Sequence, residues 1–108
     1  MKVAIFNGTV ATTNGVYKIS DIDVESAKKL LYKDGFISAI GHESTAEAIS
    51  DTLNMDIKMN RVNFKQEVGQ KAIVFKLNVR PPEGSVLSRD EIEKIGYSFK
   101  LMERLEWI

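Results

Sequence analysis

The sequence contains no cysteine and a single histidine, His42. The absence of cysteine excludes a disulfide scaffold and thiolate metal sites. With one imidazole, a metal ion would depend mainly on carboxylates, and no EF-hand-like spacing of acidic residues is present. The residues therefore offer no recognisable metal-binding motif, and no cofactor is expected.

The chain also lacks an excess of charge, because 15 basic side chains balance 15 acidic ones. A protein that coats long DNA or RNA normally carries a basic excess, so a long nucleic acid is not expected as a partner. No GxxxxGK[ST] or GxGxxG loop is present, and the basic-aromatic signature of RNA-recognition sheets is missing. A compact pocket for a small anion remains compatible with this neutrality.

Long apolar runs are absent as well. No segment approaches the roughly 20 apolar residues of a membrane span, so no membrane partner is expected. The opening MKVAIFNG holds only a short apolar run, less than the core of a signal peptide requires. These features lead us to expect a cytoplasmic protein.

What is present is the composition of one folded domain over residues 1–108, with 44% hydrophobic and 28% charged residues. Apolar periodicity and turn residues predict the elements. Segment 36–41 is apolar and short, and fits either a strand or a buried loop. We predict strands over 2–6, 16–20, 61–66, 71–79 and 97–107, and helices over 23–34, 42–54 and 88–96.

Particular residues indicate how these elements begin and connect. Ser44 with Glu47 fits a capping box that opens the second helix, and Ser88 with Glu91 fits one that opens the third. The strand over 61–66 and the next strand are joined by EVGQ, which predicts an antiparallel hairpin.

The resulting order, β-β-α-α-β-β-α-β, predicts an α/β fold: a compact single domain with a mixed β-sheet and about three helices. Helices of this length would not cover both faces of the sheet. An exposed apolar face would favour association of two copies, so we expect a two-fold dimer.

The segment SAIGHEST, residues 38–45, is the first candidate for a functional site. Gly41 is expected to let the chain turn sharply, and Ser44 and Thr45 open a helix. The first N–H groups of a helix lack internal partners, and that end binds phosphate readily. His42, placed there, can donate a proton to a leaving oxygen near neutral pH. The simpler alternative is a histidine at a helix cap with no chemical role.

Other candidates follow the ends of predicted strands, where sites are common. Arg61 and Arg80 carry guanidinium groups, which hold phosphate through paired donors. Glu83, three residues after Arg80, could orient a neighbour or serve as an acid or base. Asn7 ends the first strand and could approach a ligand. Each residue alone is more simply a solvated strand-end, loop or turn residue.

As a set, these motifs are more specific. The combination of IGHEST (40–45), NRV (60–62) and RPPEGSVL (80–87) at this spacing resembles the viral-type ring nucleases, a type III anti-CRISPR family, and its YddF-like bacterial branch. The resemblance is clear over roughly 36–92. It implies a compact α/β homodimer that binds cyclic tetra-adenylate across its interface. Such enzymes cut the ring without a metal into linear di-adenylates with a 2′,3′-cyclic phosphate, which switches off type III CRISPR signalling.

The resemblance also implies roles for individual residues. His42 falls on the general acid of the family, and Arg80 and Glu83 fall on further catalytic positions. A C2 dimer could present one His42 to each of two opposite phosphates of the ring. The positions implied for substrate binding are Asn7, Gly41, Ser44, Thr45, Arg61 and Gly84.

The sequence differs from the usual pattern of this family in two places. The segment GTVATTNG, residues 8–15, does not follow the usual serine-containing run, and the prolines at 81 and 82 are not general to the family.

One alternative function is a sponge that binds a cyclic nucleotide without cutting it. The other is a protein-interaction regulator carried by a mobile element.

Overall fold

A computed structural model describes residues 1–9, 11–79 and 87–106 of the chain. Five strands and three helices are formed within these residues. The strands are β1 (Val3–Asn7), β2 (Val16–Ile22), β3 (Phe36–Ala39), β4 (Lys71–Leu77) and β5 (Tyr97–Glu106). The helices are α1 (Val24–Asp34), α2 (Glu43–Leu53) and α3 (Arg89–Ile95).

The strands form one mixed sheet in the order β2-β5-β4-β1-β3. The inner strand β1 runs parallel to both β3 and β4, whereas β5 runs antiparallel to both β4 and β2. The carboxyl ends of β1, β3 and β4 therefore lie at the same edge of the sheet, where ligand sites of α/β proteins commonly form. The predicted compact α/β domain with a mixed sheet and three helices is confirmed.

All three helices contribute to a core on one face of the sheet. Alternate residues of the strands point to this face, as the period of two in a strand requires. The core joins Ala27 and Leu31 of α1, Ala46, Ala48, Ile49 and Leu53 of α2, and Ile92 of α3 to Val3, Ile5, Ile73, Phe75 and Phe99 of the strands.

The opposite face is covered by a segment without regular structure. Phe64 packs against the buried cluster of Ala4, Phe6, Ala72, Val74 and Met102, and its ring centroid lies 5.8 Å from that of Phe6. The centre of this face is therefore covered within one chain, contrary to the expected exposed apolar face. The two-fold dimer stays a prediction, without that argument for it.

The hairpin predicted between 61–66 and 71–79 is wrong. The structure describes residues 61–66 without strand pairing. The physical reason is that β4 already has a strand on each side, β1 and β5, so both of its edges are occupied. The covering segment is instead fastened by side chains, since the buried Gln66 amide donates to the carbonyls of Gln70 and Met102.

Helix ends agree with the sequence in α1 and α3. Asp23 caps α1 by accepting from the Ser26 N–H, and Gly35 ends it with a positive φ of 75°. The predicted capping box of Ser88 and Glu91 is formed at the start of α3.

The capping box predicted for α2 is wrong. This helix begins at Glu43, with His42 as its N-cap residue. Ser44 therefore lies inside the first turn, and its hydroxyl donates to the Leu87 carbonyl at 2.7 Å. The hydroxyl is engaged by another part of the chain and does not cap its own helix.

The cap of α1 predicts an acid-dependent stability. The hydrogen bond from the Ser26 backbone lowers the pKa of Asp23 from its ordinary 3.8. A carboxylate whose pKa is lower in the folded state stabilises the fold above the unfolded pKa, and this contribution is lost as the pH falls through the folded pKa. We expect Asp23→Ala to lower the Tm by roughly a few degrees at pH 7, and the difference from wild type to shrink in acid, as the pH falls below 3.8.

Thermal unfolding followed by circular dichroism between these pH values measures the effect. Asp34→Ala, at the other end of the same helix, is the matched control and should show no such loss at neutral pH. An equal loss for Asp23→Ala at both pH values would contradict this account of the cap.

Candidate functional site

The candidate site lies where β3 passes into α2, at the edge that holds the carboxyl ends of the parallel strands. Ala39 ends β3 beside Phe6 of β1, and α2 begins four residues later at Glu43. Ile40, in the connection, is fully buried and anchors it in the core. The next two residues, Gly41 and His42, carry the chain to the helix.

An open pocket of about 430 Å³ is formed at this connection. It contains four of the predicted site residues, Gly41, His42, Ser44 and Arg61, from two segments that are separate in the sequence. The pocket also contains residues that sequence analysis did not assign to a site. These are Glu43, Met59, Leu87, Ser88 and Glu91.

His42 lines this pocket as an exposed residue. Its backbone is extended, with φ −131° and ψ 132°, and its imidazole makes no capping hydrogen bond to the helix. The backbone carbonyl of His42 accepts from the Ala46 N–H at 3.1 Å. His42 is therefore the N-cap residue of α2 by position, as the simpler alternative expects, although its imidazole makes no capping hydrogen bond.

The two helices that begin at the pocket differ in how their first turns are satisfied. At α3, the Ser88 hydroxyl accepts from the Glu91 N–H, and the Glu91 carboxylate accepts from the Ser88 N–H. That contact with the Ser88 backbone lowers the pKa of Glu91. At α2, by contrast, the side chain of the N-cap residue His42 makes no capping hydrogen bond. Since N–H groups of a first turn have no partner within the helix, the start of α2 is the end that can receive an anion.

Arg61 contacts the connection directly. Its Nε and Nη2 donate to the Gly41 carbonyl oxygen at 3.3 and 2.9 Å. The preceding Asn60 donates from its backbone N–H to the Ile40 carbonyl and from its side-chain amide to the Ser38 carbonyl, both at 2.7 Å. The NRV and IGH motifs are thus joined by hydrogen bonds, although Arg61 lies in the covering segment and does not begin a strand.

Gly41 was expected to let the chain turn sharply, and its backbone does not use the left-handed conformation that favours glycine. A Cβ built there would lie 3.7 Å from both Cγ and Nε of Arg61, an ordinary contact distance. The backbone therefore does not require glycine at this position.

The remaining predicted site residues are distributed differently. Thr45 is buried, with 6% exposure, and does not line the pocket. Asn7 is exposed at the carboxyl end of β1, on the same sheet edge, but it is not among the residues that line the pocket. Arg80, Glu83 and Gly84 lie outside the described residues.

The residues that sequence analysis missed carry weak sequence signals. Met59 and Leu87 are ordinary apolar residues in loops, and no motif distinguishes them. Glu91 was recognised only as part of a capping box, and Ser88 with it. Leu87, Ser88 and Glu91 reach the pocket because α3 packs on α2. No local sequence pattern predicts that packing.

Residues 1–9, 11–79 and 87–106 contain no group of three or more His, Cys, Asp or Glu side chains placed to hold a metal ion. Within the same ranges, no helix has both the length and the apolar character needed to cross a bilayer.

Known proteins resemble this chain over nearly its full length. The model of the STIV B116-like family matches residues 3–99. YddF of Bacillus subtilis (strain 168) is 38% identical over 108 residues, which cover 98% of this chain and all of YddF. Protein 26 of a Sulfolobus islandicus filamentous virus is 37% identical over 89 residues, covering 82% of this chain and 75% of that protein.

A solved structure supports the same relationship. B116 of Sulfolobus turreted icosahedral virus superimposes with a TM-score of 0.71 at 28% identity, covering 96% of this chain and all of B116. The predicted similarity to YddF and to small viral proteins is confirmed. The family model and these relatives show that the chain belongs to the STIV B116-like family.

Proposed function

We propose that this protein is a metal-independent ring nuclease that cleaves cyclic tetra-adenylate. The observation that carries the proposal is the convergence of three features in one pocket: the uncapped start of α2, the exposed His42 imidazole and the Arg61 guanidinium. A phosphodiester placed at the helix start would lie beside a proton donor. The proposal also rests on the motif set that resembles ring nucleases.

The reaction needs little beyond alignment and proton transfer. A ribose 2′-hydroxyl of the ring loses its proton to water and attacks the adjacent phosphorus. A new P–O bond forms, the bond to the 5′-oxygen breaks, and that oxygen takes up a proton. The products carry a 2′,3′-cyclic phosphate and a free 5′-hydroxyl. Since RNA supplies the nucleophile, the protein has to orient the phosphate, stabilise its charge and protonate the leaving oxygen.

His42 is the residue proposed to protonate the 5′-oxygen. The N–H groups in the first turn of α2 would hold the phosphate oxygens. Arg80 and Glu83 are proposed as further catalytic residues, and Gly84 and Asn7 as ligand contacts, on the strength of the motif resemblance.

The proposed active form is a two-fold dimer. Cyclic tetra-adenylate has a two-fold axis, so two copies of the chain can each present one His42 to opposite phosphates. Two cuts then release two identical di-adenylates. The proposed consequence is that the second messenger of type III CRISPR defence is removed and the signal ends.

The test is incubation of the purified protein with cyclic tetra-adenylate in EDTA, followed by chromatographic separation and mass analysis of the products. We expect conversion to linear di-adenylates with a 2′,3′-cyclic phosphate. An intact ring that stays bound to the protein would instead indicate a sponge. An intact ring with no binding would refute this ligand and leave an interaction regulator as the better hypothesis.

A further inference from the structure

Arg61, which was expected to bind phosphate, contacts the backbone of Gly41. One guanidinium group directs two of its N–H donors, Nε and Nη2, to a single backbone carbonyl oxygen. This carbonyl belongs to the residue immediately before His42. The arginine is therefore bonded to the chain that carries the imidazole.

The position of this carbonyl determines the orientation of His42. The peptide group between Gly41 and His42 is planar, so its carbonyl oxygen and the His42 N–H move as one unit. Gly41 has no side chain that could anchor this plane in the core. The two donors of Arg61 hold this plane from outside. A fixed plane limits the directions in which the His42 side chain can leave the backbone, since it fixes the N–Cα bond about which His42 turns.

The residues just before Arg61 are hydrogen-bonded to the connection between β3 and α2. Asn60 bonds to the carbonyls of Ser38 and Ile40, and the Ser38 hydroxyl donates to the Lys58 carbonyl at 2.6 Å. The stem of Arg61 also packs over Gly41, where an added Cβ would lie 3.7 Å from its Cγ. The hydrogen bonds of the neighbouring residues therefore place the Arg61 guanidinium next to the Gly41 carbonyl.

We propose that Arg61 is a positioning residue for His42, acting through the Gly41 carbonyl, and not a ligand of the scissile phosphate. This inference rests on the proposed ring nuclease function, in which His42 is the general acid. It assigns Arg61 an effect on the chemical step that depends entirely on the imidazole being present.

A double-mutant cycle separates positioning from phosphate binding. Single-turnover cleavage of cyclic tetra-adenylate is measured for Arg61→Ala, His42→Ala and the double variant, with the Kd of each for the ring. We expect Arg61→Ala to slow cleavage about 10-fold to 100-fold with a Kd within about two-fold of wild type, and to cause no further loss when His42 is already alanine. A Kd raised 10-fold or more, or an additional loss of rate in the double variant, would overturn the proposal.

A second readout does not depend on activity. Backbone ¹⁵N–¹H NMR spectra of Arg61→Ala should show displaced resonances and faster amide hydrogen exchange at His42 and Glu43. Lys58→Ala is the matched control, because this exposed side chain belongs to the same segment and pairs only with the exposed Asp56 among the described residues. It should leave the His42 resonance in place.

The two readouts keep this inference distinct from the proposed function. An unchanged His42 resonance in Arg61→Ala would refute the positioning contact whatever the ligand is. Displaced resonances together with a wild-type protein that never cuts the ring would support the contact and refute the ring nuclease function.

Discussion

Replacing His42 with alanine is expected to slow cleavage of cyclic tetra-adenylate about 100-fold or more, as loss of a general acid does. The leaving 5′-oxygen would then depart without a positioned proton donor. Binding of the ring should change by about two-fold at most, since the proposed phosphate contacts come from backbone N–H groups of α2. The measurement is single-turnover cleavage in EDTA, with ring binding measured separately.

The fold should tolerate this change. His42 is exposed, and its imidazole makes no hydrogen bond that caps α2. We therefore expect the Tm of His42→Ala to stay within a few degrees of wild type, so that the loss of rate reports on chemistry. Tyr32→Ala, at a side chain that is 69% exposed on α1, is a control that should leave cleavage unchanged. Wild-type rates in His42→Ala would remove the histidine from the mechanism.

The largest expected effect on stability comes from Arg104, which is 2% exposed on β5. Its guanidinium donates to the Gln66 carbonyl in the segment that covers the sheet and, at 2.8 Å, to the Asn14 carbonyl before β2. Hydrogen bonds from a charged group contribute about 1.5 to 3 kcal/mol each. We expect Arg104→Met to lower the free energy of unfolding by about 3 kcal/mol, because methionine can fill space but donates to neither carbonyl.

Denaturation in urea, with the slope of the transition compared between variants, measures this loss. Arg89→Met is the matched control, since Arg89 forms an ion pair with Asp51 while both side chains remain about half exposed. Exposed ion pairs contribute about 0 to 1 kcal/mol, so this variant should be nearly as stable as wild type. An equal loss of unfolding free energy in the two variants would show that the buried hydrogen bonds of Arg104 stabilise the fold no more than an exposed ion pair does.

The elements that depend on nearby residues were predicted from the sequence. The extents of α1 and α3 were predicted to within one residue, and so was the capping box of Ser88 and Glu91, whereas the cap of α1 at Asp23 was not. The long strand β5 was predicted as well. Capping and alternation act over a few residues, so the local sequence contains the information that determines them.

The candidate site could be predicted from the sequence only in part. His42 and its place at the start of α2 followed from the sequence, and Arg61 was identified as a site residue. The bond between Arg61 and the Gly41 carbonyl was not predicted, because it joins residues 20 positions apart through a segment that was expected to be a strand. Ser44 was likewise expected to cap its helix or hold phosphate, whereas its hydroxyl is bonded to Leu87.

By itself, the sequence determined the class of fold, most of the helices and strands, and the histidine around which a site could form. Only the tertiary structure decided the route of residues 61–66, because whether a segment pairs as a strand depends on which sheet edges are free. Here β1 and β5 occupy both sides of β4. The segment crosses the sheet face instead, where it covers the apolar cluster and brings Arg61 to the connection that carries His42.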